Sequence, residues 1–583
     1  MENMIQLKID DIAVSVPEGT TVLEAAKLLN INIPTLCYLK DINEIGACRM
    51  CLVEIKGARA LQASCVYPVA EGIEVYTNSP LVRKTRKANL ELILSDHKRE
   101  CTTCVRSENC ELQSLSKDLG IKDVRFEGAH SADGIEEIGS CIVRDESKCI
   151  YCKRCIAVCN EVQGIGALGA VGRGFTAKAQ PVFGMALDDV NCIKCGQCII
   201  NCPVGALSEK SSIDEAWSYI NDSDIHAVAI IAPAVRAAIG ESFGNPIGTD
   251  TTGKMVSAAK RLGFDKVFDV NFAADVTILE EGTELINRIK NNGSLPLITS
   301  CSPGWINYCE KFYPDQLSHL SSCKSPQNMN GALLKSHYAQ INGIDPKKIK
   351  VISVMPCTAK KSENIREQLS VDGLQDVDVV VTTREFADMI KQAGIEYNRL
   401  GEGDFDEFYG DGTGAAVIFG ATGGVMEAAL RTALELITGK ESEKVDYPEV
   451  RGIEGIKEFS VKAGDLTLKA AVVSGGANIK KMMDRIAAGE ADYQFVEMMA
   501  CPGGCVNGGG QPIVSSGVKS EIDVRTERAK VLYNRDKNVV KWRKSHENPS
   551  VQKLYKEFLG EPNGHLSHKL LHTHYSAQVK YNK

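Results

Sequence analysis

The sequence predicts a multidomain chain of mixed α/β and α+β class, and three observations carry that expectation. At 583 residues the chain exceeds what one compact core organises, so roughly three to five domains of ordinary size follow. Cysteines crowd residues 37 to 202, where apolar runs are short and a conventional core would be thin. From Ala227 onward the texture changes to apolar runs separated by helical patterns, the alternation of a large α/β domain.

Composition narrows the class further. A net charge of -8 with 44% hydrophobic and 24% charged residues opposes nucleic-acid binding and fits an ordinary globular protein. The N-terminus has no basic region leading into an apolar segment, and no later stretch approaches a membrane span, so the expected location is the cytoplasm. In that reducing setting 22 cysteines do not read as a disulfide framework, and metal thiolate ligation is the better account.

The first expected unit, residues 1–80, alternates apolar and polar at Ile5, Leu7, Ile9, Val14 and Val16 around a turn at Asp10-Asp11. After Thr20-Thr21 it switches to helical spacing at Val22, Ala25, Ala26 and Leu29. Cys37, Cys48, Cys51 and Cys65 follow, a close pair between two outlying thiols, which points to one 2Fe-2S cluster on a β-grasp ferredoxin-like fold; the gaps differ from the plant-type form.

Residues 81–125 contain His97-x3-Cys101-x2-Cys104-x5-Cys110. Spacing alone leaves a Cys3His zinc site open. The position between two electron-carrying modules favours a 4Fe-4S cluster with one histidine ligand.

Residues 140–210 hold two runs, Cys149-x2-Cys152-x2-Cys155-x3-Cys159 and Cys192-x2-Cys195-x2-Cys198-x3-Cys202-Pro203. This is the pattern of a bacterial two-cluster ferredoxin, in which the fourth cysteine of each run ligates the other cluster. Cys149, Cys152, Cys155 and Cys202 are expected to hold one 4Fe-4S cluster, and Cys192, Cys195, Cys198 and Cys159 the next; a pair of zinc sites rarely uses this tight spacing. Gly164-Ile-Gly166-Ala-Leu-Gly169 matches a dinucleotide fingerprint but lacks the preceding strand and βαβ room, so it is rejected.

Residues 225–520 are the expected α/β domain, with apolar runs at Ala227 to Ala232, Leu295 to Thr299, Lys350 to Met355 and Val377 to Val381. It carries three cysteine motifs: Thr299-Ser-Cys301-Ser-Pro-Gly-Trp305, Met355-Pro-Cys357-Thr-Ala-Lys360-Lys-Ser-Glu363, and Glu497-Met-Met-Ala-Cys501-Pro-Gly-Gly-Cys505 running to Pro512. Their glycines and prolines let backbone approach a bulky inorganic group. Residues 521–583 form a tail with a punctuated helix: Asn548 as N-cap, Pro549 in the first turn, and an apolar stripe at Val551, Leu554, Tyr555, Phe558 and Leu559. The tail's His565, His568, His572 and His574 converge with no acidic or cysteine motif in sequence, so packing or surface roles are expected.

The three motifs resemble the signature motifs of iron-iron hydrogenases, and the resemblance extends over almost the whole chain, from the order of accessory clusters to a helical, small-subunit-like tail. The likeness is to the long clostridial form and to catalytic subunits of NAD(P)-linked complexes. It implies an H-cluster, a 4Fe-4S cluster bridged to a di-iron unit with carbon monoxide, cyanide and a dithiolate amine, in addition to three accessory 4Fe-4S clusters. Carried over position by position, Cys357, Cys501 and Cys505 bind the cluster, with Cys505 as bridge. Lys360 hydrogen-bonds a cyanide, and Met355 and Met499 pack beside the di-iron unit.

The first motif departs from the family form, which has adjacent cysteines, the first relaying protons and the second binding the cluster; here Ser302 stands second. Either Cys301 relays while Ser302 supplies an oxygen ligand, or Cys301 ligates and Ser302 relays, with Cys323 a further thiol that could compensate. Because sulfur suits iron-sulfur clusters better, ligation by Cys301 is the favoured expectation.

Glu281, Glu284 and Arg288 fall on one helical face, which on pattern alone is a solvated charged face. The resemblance reverses that reading: Glu281, Glu284, Ser321 and Cys301 match the family's proton pathway, with Arg288 at its solvent mouth.

The implied function is reversible oxidation of H2 and reduction of protons, with electrons exchanged with ferredoxin through the N-terminal clusters and the di-iron unit installed by maturation proteins. The first rival is a catalytic subunit of a heteromeric NAD(P)-linked, electron-bifurcating hydrogenase whose flavin-containing partner supplies the nucleotide site. The second is an electron-transfer or sensory protein.

Overall fold

Asp10 and Asp11 take positive φ of 47° and 66°, the backbone a two-residue hairpin turn requires. They join β1 (Met4–Ile9) to β2 (Ile12–Pro17) in antiparallel register. With β3 (Leu52–Ile55), β4 (Gln62–Ala63) and β5 (Glu74–Tyr76) these make a five-stranded sheet in the order β2-β1-β5-β3-β4. The helix Val22–Leu28, capped by Thr21, buries Val22, Leu23, Ala25 and Ala26 against it. The computed structural model describes residues 3–441, 444–464 and 466–581; residues 1, 2, 582 and 583, at the ends of the first and last expected units, lie outside the described residues.

The helix Pro80–Asp96 leads out of this unit and delivers His97 at its end. A short cysteine-bearing turn and the helix Glu111–Asp118 follow. The next unit is built on β6 (Ile135–Ile138), β7 (Ile142–Asp145) and β10 (Leu207–Glu209) in the order β10-β7-β6, beside the ribbon of β8 (Gly169–Val171) and β9 (Lys178–Gln180). Its two cysteine runs fold alike. Lys153 and Gly196, with φ of 64° and 69°, turn each run into a four-residue helix, Arg154–Ala157 and Gln197–Ile200.

The large α/β region divides into two four-stranded sheets where the sequence reading had one undivided domain. The first, order β12-β11-β14-β17, is all parallel: β11 (His226–Ile231), β12 (Lys266–Asp269), β14 (Ile349–Met355) and β17 (Val379–Thr382). Helices cover both faces, which is why these strands read as near-continuous apolar runs. The ribbon of β15 (Ser370–Val371) and β16 (Leu374–Gln375) decorates it. The second sheet, order β13-β20-β19-β18, contains β13 (Leu297–Ile298), β18 (Ile456–Ala463), β19 (Leu466–Ser474) and β20 (Phe495–Met499), parallel except for the β18-β19 hairpin. The long helix Asn271–Lys290 contributes to both cores, Phe272, Ala273 and Val276 to the first and Ala274, Ile278 and Leu285 to the second.

The tail helix starts as its punctuation requires. Asn548 Oδ1 accepts from Ser550 N at 3.0 Å and Val551 N at 3.4 Å, a cap worth about 1 kcal/mol. Val551, Leu554, Tyr555 and Leu559 are buried in the first sheet's core. The tail then runs back along the domain, with backbone bonds from Lys324 N to Leu571 O (2.8 Å), Thr573 N to Ser322 O (2.7 Å) and Gln578 N to Glu310 O (2.9 Å). No described helix is long and apolar enough to cross a membrane.

Candidate active site and its cluster relay

The accessory cysteines gather in four groups, none of them in disulfides. In the N-terminal unit Cys51 Sγ lies 3.2 Å from Cys65 Sγ. A hydrogen bond from Cys65 holds the Cys51 thiol down at about 7, and one from Cys37 holds Cys48 at about 6, while the same bonds push the donors Cys65 and Cys37 up, so one thiol of each pair gives up its proton first. Metal binding needs such thiolates.

His97 is buried, and its Nδ1 has no partner among the described residues, an open donor of the kind a metal would use. The loop carrying Cys101, Cys104 and Cys110 packs onto Cys202-Pro203: Arg106 Nη1 donates to Cys202 O at 2.7 Å, and Cys110 Sγ to Pro203 O at 3.8 Å. Gly205 is required there, since a Cβ at that position would sit 2.6 Å from Cys104 Sγ.

One cavity is lined by Cys149, Cys152, Cys155 and Cys202, three thiols from the first run and the fourth from the second. Cys159 lies instead with Cys192 and Cys198, whose thiols burial and neighbouring sulfurs push up. This second group abuts the large domain. A Cβ on Gly509 would lie 2.4 Å from Cys195 O, and one on Gly196 3.0 Å from Gly509 Cα. Thr358 Oγ1 donates to Lys194 O at 2.8 Å, and Gln197 Nε2 to Asn507 O at 2.8 Å. Cys195 is close enough to Cys501 for their charges to interact.

The central cavity opens where strands of both sheets end. Ala232 and Pro233 follow β11, Cys357 follows β14, Met499 closes β20, and Cys301 comes shortly after β13. Ligands bind at the carboxyl ends of parallel strands in such sheets. Its walls carry Cys301, Met355, Cys357, Lys360, Met499 and Cys505, with Ala274 and Phe419 among the apolar lining. Cys501 is buried beside the half-buried Cys357 and Cys505 and completes a trio of thiols. Lys360 Nζ is held by Glu363 Oε2 at 2.7 Å, and that carboxylate also accepts from Ser325 Oγ (3.0 Å) and Gln327 Nε2 (3.1 Å).

The two residues of the first motif face different ways. Cys301 borders the central cavity and interacts electrostatically with Glu281 and Cys505; burial, then the charge of Glu281, pushes its thiol far up. Ser302 Oγ instead accepts from Ala500 N at 3.3 Å, next to Cys501. Cys323 belongs to neither group, since its Sγ faces Glu284 Oε2 at 4.0 Å.

From Cys301 an acidic path leads outward. Glu281 is buried, with Oε1 unpartnered among the described residues, so the solvated-face reading is overturned for it. Burial pushes its carboxyl up to about 8, the Ser321 hydrogen bond opposes the rise, and the charge of Glu284 adds to it. Ser321 Oγ donates to Glu284 Oε2 at 3.1 Å. Arg288 Nη2 pairs with Glu284 Oε1 at 2.6 Å and is itself fixed by the carbonyls of Ser318 (2.9 Å) and Leu320 (2.8 Å) through Nη1 and Nη2.

Comparison with known proteins agrees with this architecture. Residues 225–509 match the family "iron only hydrogenase large subunit, C-terminal domain", and residues 522–578 match "iron hydrogenase small subunit". Residues 2–80 match a 2Fe-2S iron-sulfur cluster binding domain, 86–125 the NADH-ubiquinone oxidoreductase-G iron-sulfur binding region, and 186–208 a 4Fe-4S binding domain. The NADP-reducing hydrogenase subunit HndD of Solidesulfovibrio fructosivorans is 47% identical over 584 residues, 98% of this chain and 99% of that one. The chain belongs to the iron-only hydrogenase family. Iron hydrogenase 1 of Clostridium pasteurianum is 42% identical over 569 residues, 97% of this chain and 99% of its own length. Among solved structures, a variant of the FeFe-hydrogenase HydA1 from Chlamydomonas reinhardtii is similar with a TM-score of 0.57 and 43% identity, covering 64% of this chain and all of that one.

This hydrogenase-family chain thus has donor sets suited to 2Fe-2S and 4Fe-4S clusters and to the H-cluster: three groups of four thiols, one of three thiols with an orphaned imidazole, and a sulfur-lined cavity. The sequence reading missed one participant. His565, His568 and His574 are exposed, but His572 is buried between Glu280 and Ser322. Tyr555 and Ser567, which share the Glu280 carboxylate with it, stand on separate helices, so no local spacing pointed to His572.

Proposed function

We propose that the chain interconverts H2 with protons and electrons at the central cavity, and that its residues divide the work as follows. The observation that carries the reading is convergence: three thiols, Lys360 and two methionines line one cavity at the strand ends, and a buried acidic path begins at its wall. When bound, the H-cluster supplies the redox-active iron at which H2 is made or split. Cys357, Cys501 and Cys505 would hold its 4Fe-4S part, with Cys505 as bridge.

For the first motif the surroundings support a division opposite to the sequence preference. Cys301, on the cavity wall beside Glu281, hands protons in and out. Ser302, whose oxygen lies beside Cys501, would be the fourth donor. Lys360, fixed by Glu363, would present its ammonium to anionic ligands of the group, and Met355 and Met499 would exclude water from it.

In proton reduction Cys301 gives up its thiol proton and regains one from Glu281. Glu281 is resupplied across Ser321 from Glu284, and Arg288 holds Glu284 at the outer end. Cys192, Cys195, Cys198 and Cys159 would hold the last accessory cluster before the cavity, which would supply its electrons, and Cys195 stands close enough to Cys501 for their charges to interact. Cys37, Cys48, Cys51 and Cys65 would hold the 2Fe-2S cluster, and His97, Cys101, Cys104 and Cys110 a 4Fe-4S cluster.

Ferredoxin is the proposed electron partner, maturation proteins install the di-iron unit, and the cytoplasm is the proposed location. A second reading, supported by likeness to an NADP-reducing hydrogenase subunit over 98% of the chain, makes this the catalytic subunit of an NAD(P)-linked complex. Purification from the native host separates them: a flavin-containing subunit travels with the chain only in the second. The function itself is tested by infrared spectroscopy of the anaerobically matured protein. Bands of iron-bound carbon monoxide and cyanide that shift under H2 support it, and their absence despite active maturation refutes it.

A further inference from the structure

Next to the acidic path lies a partly buried hydrogen-bonded branch that the mechanism above does not use. His572 Nδ1 and Ser322 Oγ are 2.8 Å apart, and Ser322 Oγ is 3.1 Å from Glu284 Oε2. On its other side His572 Nε2 lies 3.1 Å from Glu280 Oε2. Glu280 is fully buried and also accepts from Tyr555 Oη at 2.5 Å, Asn563 N at 2.7 Å and Ser567 Oγ. The oxygen, sulfur and nitrogen atoms of Glu284, Cys323 and His572 come within 4.8 Å of one another.

Ser322 has one hydroxyl hydrogen and two claimants. When His572 Nδ1 carries a hydrogen, it donates to Ser322 Oγ, and the hydroxyl hydrogen is free for the Glu284 carboxylate. When Nδ1 is bare, it takes that hydrogen, and Glu284 faces a lone pair, which favours its protonated form. The Glu280 carboxylate faces Nε2 and favours a hydrogen there, with the Asn563 side-chain amide 3.1 Å from the same nitrogen; burial raises the Glu280 carboxyl, but the bonds from His572, Ser567 and Tyr555 outweigh that and hold it below the usual range.

We propose that His572, through the Ser322 hydroxyl, is a positioning residue that sets the proton affinity of Glu284 and so ties the proton path to the charge state of the docked C-terminal tail. The groups facing His572 are Glu280 and Glu284 from the Asn271–Lys290 helix, Arg288 behind Glu284, Cys323 across the tail contact, Tyr555 beyond Glu280, and the exposed His568, stacked on it at 4.5 Å between ring centres. This inference rests on the hydrogenase reading.

The test uses the full chain with Ser322→Ala, His572→Gln and the double variant. Gln reaches the Nε2 position and keeps a bond to Glu280 while breaking the link to Ser322. Two readouts are taken: H2 turnover against pH, and the pH at which the Glu284 carboxyl band, identified by its loss in Glu284→Gln, vanishes from the infrared spectrum of protein lacking the di-iron unit. Each single variant is expected to lose about tenfold in turnover at the wild-type optimum, within what misplaced relay groups cost; Ser322→Ala, which removes the hydroxyl donor, moves the Glu284 midpoint up, whereas His572→Gln, which leaves the hydroxyl hydrogen to Glu284, moves it down. The double variant has the midpoint of Ser322→Ala, because without the hydroxyl the side chain at 572 has no link to Glu284. Wild-type midpoints in both single variants, or additive effects in the double, overturn the proposal. Wild-type protein without H2 turnover sinks the hydrogenase reading instead, and the carboxyl midpoints still decide this one.

Discussion

Replacing Glu281 by glutamine isolates the proton-carrying step. The side chain is enclosed beside Cys301, and burial carries its carboxyl from an ordinary 4.5 up to about 8. At 1.36 kcal/mol per tenfold change in proton affinity, that rise favours the neutral acid by about 5 kcal/mol. At pH 7 the wild-type group is therefore protonated roughly ten to one, whereas an exposed glutamate would be ionised about three hundred to one. It stands ready to give a proton to Cys301 at neutral pH. Because the folded value is the higher one, the group contributes stability that is full below about pH 4.5 and lost as the pH climbs through about 8. Glu281→Gln keeps the shape and removes the transferable proton, so H2 evolution with a reduced viologen is expected to fall by about 10² to 10⁴. Accessory-cluster absorbance and the di-iron infrared bands should stay as in the wild type. In the pH-difference infrared spectrum, a carboxyl band with a midpoint near 8 should vanish in the variant. Turnover within a few-fold of wild type, or a missing band whose wild-type midpoint lies near 4.5, would refute the reasoning.

Four further outcomes are expected. Cys301→Ala retains iron in the H-cluster's 4Fe-4S part but loses about 10² or more in turnover; loss of iron by chemical analysis would return Cys301 to the ligand set. Ser302→Cys retains that iron and shifts its electron paramagnetic resonance signal, since thiolate replaces oxygen; an unchanged signal would place Ser302 outside the coordination sphere. His97→Ala lowers total iron by the content of one accessory cluster while the central infrared bands persist, and unchanged iron would remove His97 from ligation. Glu111→Gln breaks a buried bidentate pair, with Arg154 Nη1 and Nη2 each 3.0 Å from the carboxylate oxygens, and Arg154 only 1% exposed. It should cost about 3 to 5 kcal/mol, read as a lowered unfolding temperature of the two-cluster unit, and a change under 1 kcal/mol would show that water reaches Arg154.

What the sequence made legible follows from how local each signal is. The Asp10-Asp11 turn, the Asn548 cap and the apolar runs from Ala227 to Val381 are short-range patterns, and each became the expected element. The division of the large domain into two sheets was hidden because β13 has only two residues and β18 is a half-exposed edge strand. At the site, cysteine spacing fixed which thiols stand close along the chain. It could not fix which way Cys301 and Ser302 turn, because the partner that orients Ser302, Ala500, is 198 residues away. His572 was missed for the same reason: Glu280 lies 292 residues before it, and nothing in a lone tail histidine records that separation.

The tail that supplies His572 continues the chain that supplies Glu284. Its docking is therefore an intramolecular event at an effective concentration on the order of millimolar, which dilution leaves unchanged. A protein in which the same segment were a separate polypeptide would lose the imidazole whenever the subunit dissociated, and its proton path would answer to subunit abundance. Here the ratio of tail to catalytic domain is one by construction.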